Sequence, residues 1–110
     1  MSDHPHLMSV FSEQAATALK QVKLLCCDVD GVLTDGGMYY GTSGQTMLRF
    51  HVLDGMGIKM LKATGIKTCL ITMSKTDIIK SRSEVIGIDY CCQGIEDNLA
   101  HIKILQQTLN

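Results

Sequence analysis

Two short, largely apolar runs, Leu24 to Val29 and Ile66 to Ile71, constrain this chain more than any other feature. Both are strand length and neither shows a helical period, which is the pattern of strands covered on both faces. Asp89 to Cys92 reads as a third, shorter strand. Helical spacing fills the intervals. Val10 to Val22 predicts a first helix, with Ala15, Ala16 and Leu19 on one side. Asp54 is placed to cap a second that ends near Thr64, with Gly65 just beyond. Ser74 and Asp77 resemble a capping box opening a third, which carries Ile78, Ile79, Arg82, Val85 and Ile86 and stops at Gly87. Asp97 to Leu109 predicts a last helix, with Leu99, Ile102, Leu105 and Leu109 as its stripe. Alternating strands and helices predict an α/β fold with a parallel sheet and right-handed crossovers. Between the first strand and the second helix, Met38 to Tyr40 and Gln45 to Val52 flank a glycine-bounded loop and predict a β-hairpin.

A parallel sheet of this kind binds ligands beyond the carboxyl ends of its strands. After the first strand comes Asp28-Val29-Asp30-Gly31, and after the second Thr72-Met73-Ser74-Lys75. Two carboxylates leaving one strand end repel each other unless a cation compensates. Mg²⁺ suits them: it takes one or two carboxylates and keeps water and phosphate oxygens as its other ligands. An ionised aspartate can attack phosphorus, and a second carboxylate can protonate the leaving oxygen. Asp28 and Asp30 are therefore the candidate catalytic and metal-binding residues. Thr72 and Lys75 are the candidate phosphate-binding pair.

The run from Asp28 to Tyr40 resembles the first motif of the haloacid dehalogenase (HAD) superfamily. More narrowly it resembles the sugar-acid phosphatases that act on 3-deoxy-D-manno-octulosonate 8-phosphate. The similarity continues through Phe50 to Ile58, Gly65 to Thr72 and Gly87-Ile88. It implies a HAD-like Rossmannoid three-layer sandwich in which a hairpin flap, about residues 37–52, replaces a cap domain. It also implies a Mg²⁺-dependent phosphatase of a sugar-acid phosphate, working through an aspartyl-phosphate. Asp28 would be the nucleophile and a metal ligand. Asp30 would be the acid/base, with its backbone carbonyl on the metal, and Thr72 would hold the phosphoryl group. The partners implied are the phosphorylated sugar acid and further copies of the chain, as a homotetramer packed through the hairpin.

The chain departs from the family pattern at several positions. Leu53 stands where the family usually has arginine, His51 where it has asparagine, and Met73-Ser74 where it often has Gly-Arg. Asn98 stands where the family has a lysine that neutralises the nucleophile and the phosphoryl group. The later acidic motif of the family, after a fourth strand, has no counterpart before Asn110, so the single domain, residues 1–110, is expected to be partial. These departures predict weak or absent activity for the 110-residue chain. The alternative is a non-catalytic HAD-like module for assembly or regulation.

Composition excludes other classes. Ten basic and eleven acidic side chains leave a net charge of -1, which gives no electrostatic case for nucleic acid or an anionic membrane surface. No stretch approaches the ~18 apolar residues of a membrane span, and Met1 to Val10 lacks the apolar core of a secretory signal. The expectation is a cytoplasmic domain whose five cysteines are reduced and act as small hydrophobes.

Overall fold

The computed structural model describes residues 12–109. In chain order the elements are α1 (Glu13–Lys20), β1 (Leu24–Cys27), β2 (Tyr39–Gly41), β3 (Gly44–Met47), α2 (Val52–Ala63), β4 (Lys67–Ile71), α3 (Asp77–Ile86), β5 (Tyr90–Cys92) and α4 (Asn98–Leu109). β1, β4 and β5 form a parallel sheet in the order β1-β4-β5. β2 and β3 form the separate antiparallel hairpin. The α/β class and the parallel sheet agree with the sequence reading.

β4 carries the core. Four of its five residues are buried, from Thr68 to Ile71. Val29, Leu33, Ile58, Leu70, Ile79 and Ile86 pack into one cluster around it. β1 is only half-buried at every position and pairs with β4 alone among the described residues. The sequence reading expects a strand covered on both faces, and both faces are covered only in part; its second hydrogen-bonding flank is unpaired among the described residues. The hairpin is shorter than the expected flap, 39–47 rather than about 37–52. Beyond it, Phe50 makes a single bridge to Thr34.

Two predicted caps fall elsewhere. α2 is capped by His51, whose Nδ1 accepts from the Leu53 N–H at 3.1 Å, and Asp54 lies in the first turn. α3 is capped by Thr76, and Ser74 instead accepts from the Thr76 N–H at 3.4 Å. In both cases the chain turns into the helix nearer the first hydrophobic residue than the strongest acid or hydroxyl would have placed it. α1 begins at Glu13 with Ser12 as its cap, and Val10 of the predicted helix lies outside the described residues. α4 matches its predicted range, but none of its residues is fully buried.

All five cysteines are free thiols on the parallel strands. Burial pushes the Cys69 thiol well above its usual range and raises those of Cys26 and Cys27 too. Burial thus favours the neutral thiols of Cys26, Cys27 and Cys69, which pack as small apolar groups.

Asp89, expected to open the third strand, lies just before it and does something else. Its Oδ2 accepts from the N–H of Thr68 at 2.9 Å and from the Thr68 hydroxyl at 3.1 Å. Its own N–H donates back to the Thr68 hydroxyl oxygen at 3.2 Å. Lys62 stands 3.5 Å from Oδ1 and also donates to the Gly87 carbonyl at 2.9 Å. One carboxylate thus ties the end of α2 and the start of β4 to the α3–β5 loop.

The Thr68 N–H holds the Asp89 carboxyl below the usual carboxylate range; burial opposes this, and the Thr68 hydroxyl and Lys62 add to it. A lowered folded-state value stabilises the fold above the unfolded value of ~3.9 and stops doing so as pH falls through the folded value. Asp89→Asn should therefore cost about 1–2 kcal/mol in urea unfolding at pH 7, and the gap to the parent should shrink at pH 3. A second expectation concerns the α2–α3 contact. A Cβ on Gly55 would lie 2.9 Å from both Arg82 Nη2 and Ile86 Cγ2. The arginine can move but the buried isoleucine cannot, so Gly55→Ala should lower stability by about 1–3 kcal/mol in the same assay.

Candidate active site

The parallel register builds the site. Cys27 is level with Leu70, so Asp28 emerges level with Ile71, one residue before Thr72. Adjacent strands are about 4.8 Å apart, so the acidic loop and the threonine leave the same edge side by side.

The acidic loop is held from inside. The Val29 carbonyl accepts from the N–H groups of Val32, Leu33 and Thr34 at 2.9–3.1 Å. The buried Thr34 hydroxyl accepts from Gly31 at 3.1 Å and from Gly36 at 3.2 Å. Gly31 has φ 78°, a left-handed conformation that costs other L-residues strain, which explains the glycine after the second aspartate. The Asp30 carbonyl receives none of these bonds and remains available as a ligand.

Asp28 is exposed and Asp30 half-buried. Asp28 Oδ1 accepts from the N–H of Val29 at 2.8 Å, which orients the carboxylate and leaves Oδ2 uncommitted. Among the described residues the ion pairs are Arg49–Asp35 at 3.8 Å and Lys62–Asp89, so no cationic side chain serves Asp28 or Asp30. No cluster of three or more His, Cys, Asp or Glu forms a metal cage among the described residues. A hard-oxygen pair without a full cage fits Mg²⁺, which retains water and takes up phosphate oxygens.

Thr72 is 2% exposed. Its N–H donates to the Cys92 carbonyl and its carbonyl accepts from the Ile95 N–H, both at 3.0 Å. Its hydroxyl oxygen accepts from Ser74 N–H at 3.1 Å and keeps its own proton to donate. Lys75 is exposed at the same sheet edge. A Cβ on Gly94 would stand 3.0 Å from Lys75 Cε, so the glycine leaves room for the lysine stem. The structure therefore gathers Asp28, Asp30, Thr72 and Lys75 at one edge.

Two supporting residues were not legible in sequence. Thr34 cages the acidic loop. Gln93, just past β5, donates from Nε2 to the carbonyls of Ser74 at 3.3 Å and Thr76 at 2.8 Å, which holds the turn after Thr72. The only sequence signal for Gln93 is its position at a strand's carboxyl end.

The 3-deoxy-D-manno-octulosonate 8-phosphate phosphatase KdsC of Yersinia pestis is 38% identical over 88 residues, 80% of this chain and 47% of the relative. The crystal structure of the same kind of phosphatase from Moraxella catarrhalis, described with magnesium ion, phosphate ion and KDO, superposes with a TM-score of 0.84. It is 32% identical over 90% of this chain and 57% of that one. Over its matched residues the chain is similar to the N-terminal portion of KdsC phosphatases of the HAD superfamily. A cobalt-bound form of the Haemophilus influenzae phosphatase has a TM-score of 0.74 and 35% identity, over 82% of this chain and 53% of that one. No protein-family model matches the chain. The chain spans about half the length of the KdsC relatives it matches, and the matched part is their N-terminal portion.

The Thr72 hydroxyl is the site's most testable support. Thr72→Val keeps the shape and removes the acceptor for the Ser74 N–H, at a cost of about 1 kcal/mol. Amide exchange at Ser74 should become roughly fivefold faster, with Thr72→Ser restoring protection. Unchanged exchange in the valine variant would remove the hydroxyl from this role.

Proposed function

We propose that this chain carries the nucleophile and acid/base of a Mg²⁺-dependent phosphatase for a sugar-acid phosphate resembling 3-deoxy-D-manno-octulosonate 8-phosphate. The observation that carries the reading is the pair Asp28 and Asp30, without cationic partners, beside the Thr72 hydroxyl at the carboxyl edge of a parallel sheet. The Moraxella catarrhalis relative, with its magnesium, phosphate and KDO, supports the choice of metal and substrate class.

The residues divide the work as follows. Asp28 Oδ2, with Oδ1 oriented by Val29 N–H, attacks phosphorus in line with the ester oxygen. The P–O ester bond breaks, Asp30 gives its proton to the leaving oxygen, and phosphate remains covalently on Asp28. Asp30 then takes a proton from water as the water oxygen attacks phosphorus. This frees inorganic phosphate and regenerates the Asp28 carboxylate. The Thr72 hydroxyl donates to a phosphoryl oxygen, and Lys75 adds positive charge at the sheet edge. The Asp28 carboxylate and the Asp30 carbonyl would hold Mg²⁺. When bound, the ion neutralises repulsion between the nucleophile and the phosphoryl oxygens.

The same reading makes the protein a cytoplasmic homotetramer joined through its hairpin, where Met38, Tyr39, Tyr40 and Met47 are each half or more exposed. No helix among the described residues is long and apolar enough to cross a membrane. The non-catalytic reading keeps one specific support: Asn98, exposed at the start of α4, carries no charge where the family has lysine.

A single assay decides between the two. Hydrolysis of p-nitrophenyl phosphate by the 110-residue chain at saturating Mg²⁺ should be measurable and lost in Asp28→Asn. Its rate should lie ~10²–10³ below that of a full-length relative, because a charged group is missing. No Mg²⁺-dependent turnover at all would favour the assembly module.

A further inference from the structure

The five cysteines do not share one environment. Cys26 is the register partner of Cys69, and Cys92 is the partner of Ile71, two residues on from Cys69. Side chains alternate along a strand, so Cys26, Cys69 and Cys92 converge on one face of the sheet from three separate strands. Cys27 and Cys91 belong to the other face, where Cys27 packs against the core cluster and Cys91 is exposed. The catalytic scheme above uses no thiol.

Cys69 stands at the centre of the three. It is 1% exposed, with Cys26 and Cys92 half-buried on either side. Its Sγ lies 3.9 Å from Cys92 Sγ. A disulfide needs sulfurs about 2.05 Å apart and Cα atoms within about 7 Å of each other. Cys69 and Cys92 are offset by two residues, so strands ~4.8 Å apart with a rise of ~3.3 Å per residue put their Cα atoms about 8 Å apart. Closing that gap would drag β4 against β5, and the buried Leu70 and Ile71 resist it. A shared metal ion asks for no such movement. With metal–sulfur bonds of ~2.3 Å, two sulfurs on one ion stand about 3.8 Å apart at the tetrahedral angle and about 4.6 Å apart when opposed. The observed 3.9 Å falls within that range.

The donors select the ion. Thiolate sulfur is soft and favours Cu⁺, which two sulfurs can satisfy. The three thiols are not a closed cage, but the Cys69–Cys92 pair is already at bridging distance. Burial favours the neutral thiols of Cys26 and Cys69, so the resting site carries little charge, and the ion enters by replacing thiol protons.

We propose that Cys69 and Cys92 bind one soft d¹⁰ cation, Cu⁺, between β4 and β5 on the face of the sheet that carries Cys26. The metal site is independent of the phosphatase reading, but it adjoins the phosphate-binding turn. The Cys92 carbonyl accepts from the Thr72 N–H at 3.0 Å, and the next residue, Gln93, holds the turn after Thr72.

The test is a titration of the reduced 110-residue chain with Cu⁺, in the absence of oxygen, against the chelator bathocuproine disulfonate. The chain should hold one Cu⁺, and the nitrogen-15 spectrum should show shifted amides at Cys69, Cys92 and Thr72. Cys92→Ser, at a half-buried position, should raise the Kd at least tenfold. Cys69→Ala, which places no polar group in the interior, should do the same. Cys91→Ser, on the opposite face, should leave the Kd unchanged. In the parent chain, bound Cu⁺ should protect Cys92 from iodoacetamide and leave Cys91 open to it, a readout that needs no variant to fold. The proposal is overturned if the chelator strips all Cu⁺ from the chain, if Cys92→Ser binds as tightly as the parent, if Cys91→Ser abolishes binding, or if Cys92 is alkylated equally with and without the ion.

Discussion

The rest of the molecule depends on the parallel register of β1, β4 and β5. Parallel strands end on the same edge, and the polar segments that follow them must leave the apolar interior together. Cys27 opposite Leu70, and Ile71 opposite Cys92, therefore set where Asp28, Thr72 and Gln93 emerge. A slip of one residue would shift Asp28 along the sheet edge relative to Thr72 and separate the groups that emerge there. The burial of Leu70, against Ile58 and Ile79, is what holds that register.

Around this edge, small polar groups set the loops. The Thr34 hydroxyl satisfies two backbone N–H groups of the acidic loop, and Thr72 and Gln93 satisfy the turn that follows β4. Asp89 does the corresponding work at the opposite end of β4, where it joins Thr68 and Lys62. Among the described residues, no buried side-chain nitrogen or oxygen lacks a hydrogen-bond partner. The acidic loop is held both by these satisfied polar groups and by Val29 and Leu33, which reach into the core. That leaves Asp28 exposed and oriented at once.

The periphery is less deeply buried than β4. β1 has an open side, and neither α1 nor α4 fully buries a residue. The KdsC relatives extend to about twice this length. The position of Asn98 matters more than its exposure: an amide at a helix start contributes a dipole, not a charge.

Strand and helix order, the hairpin and the placement of Asp28, Asp30, Thr72 and Lys75 at strand ends were legible in the sequence. They follow from apolar runs, helical spacing and a glycine after the second aspartate, which are local properties of the chain. The cap residues were not. His51 prevailed over Asp54, and Thr76 over Ser74, because packing against β4 and α3 decides where the chain bends into each helix, and several nearby side chains could cap. Asp89 reads as the start of a strand until Thr68, twenty-one residues away, presents its N–H. Gln93 and the meeting of Cys69 with Cys92 have no local signature at all. The sequence alone determined which groups reach the carboxyl edge of the sheet. Only the tertiary structure decided which distant polar groups hold them, because hydrogen bonds between remote segments exist only once the core has set their distance.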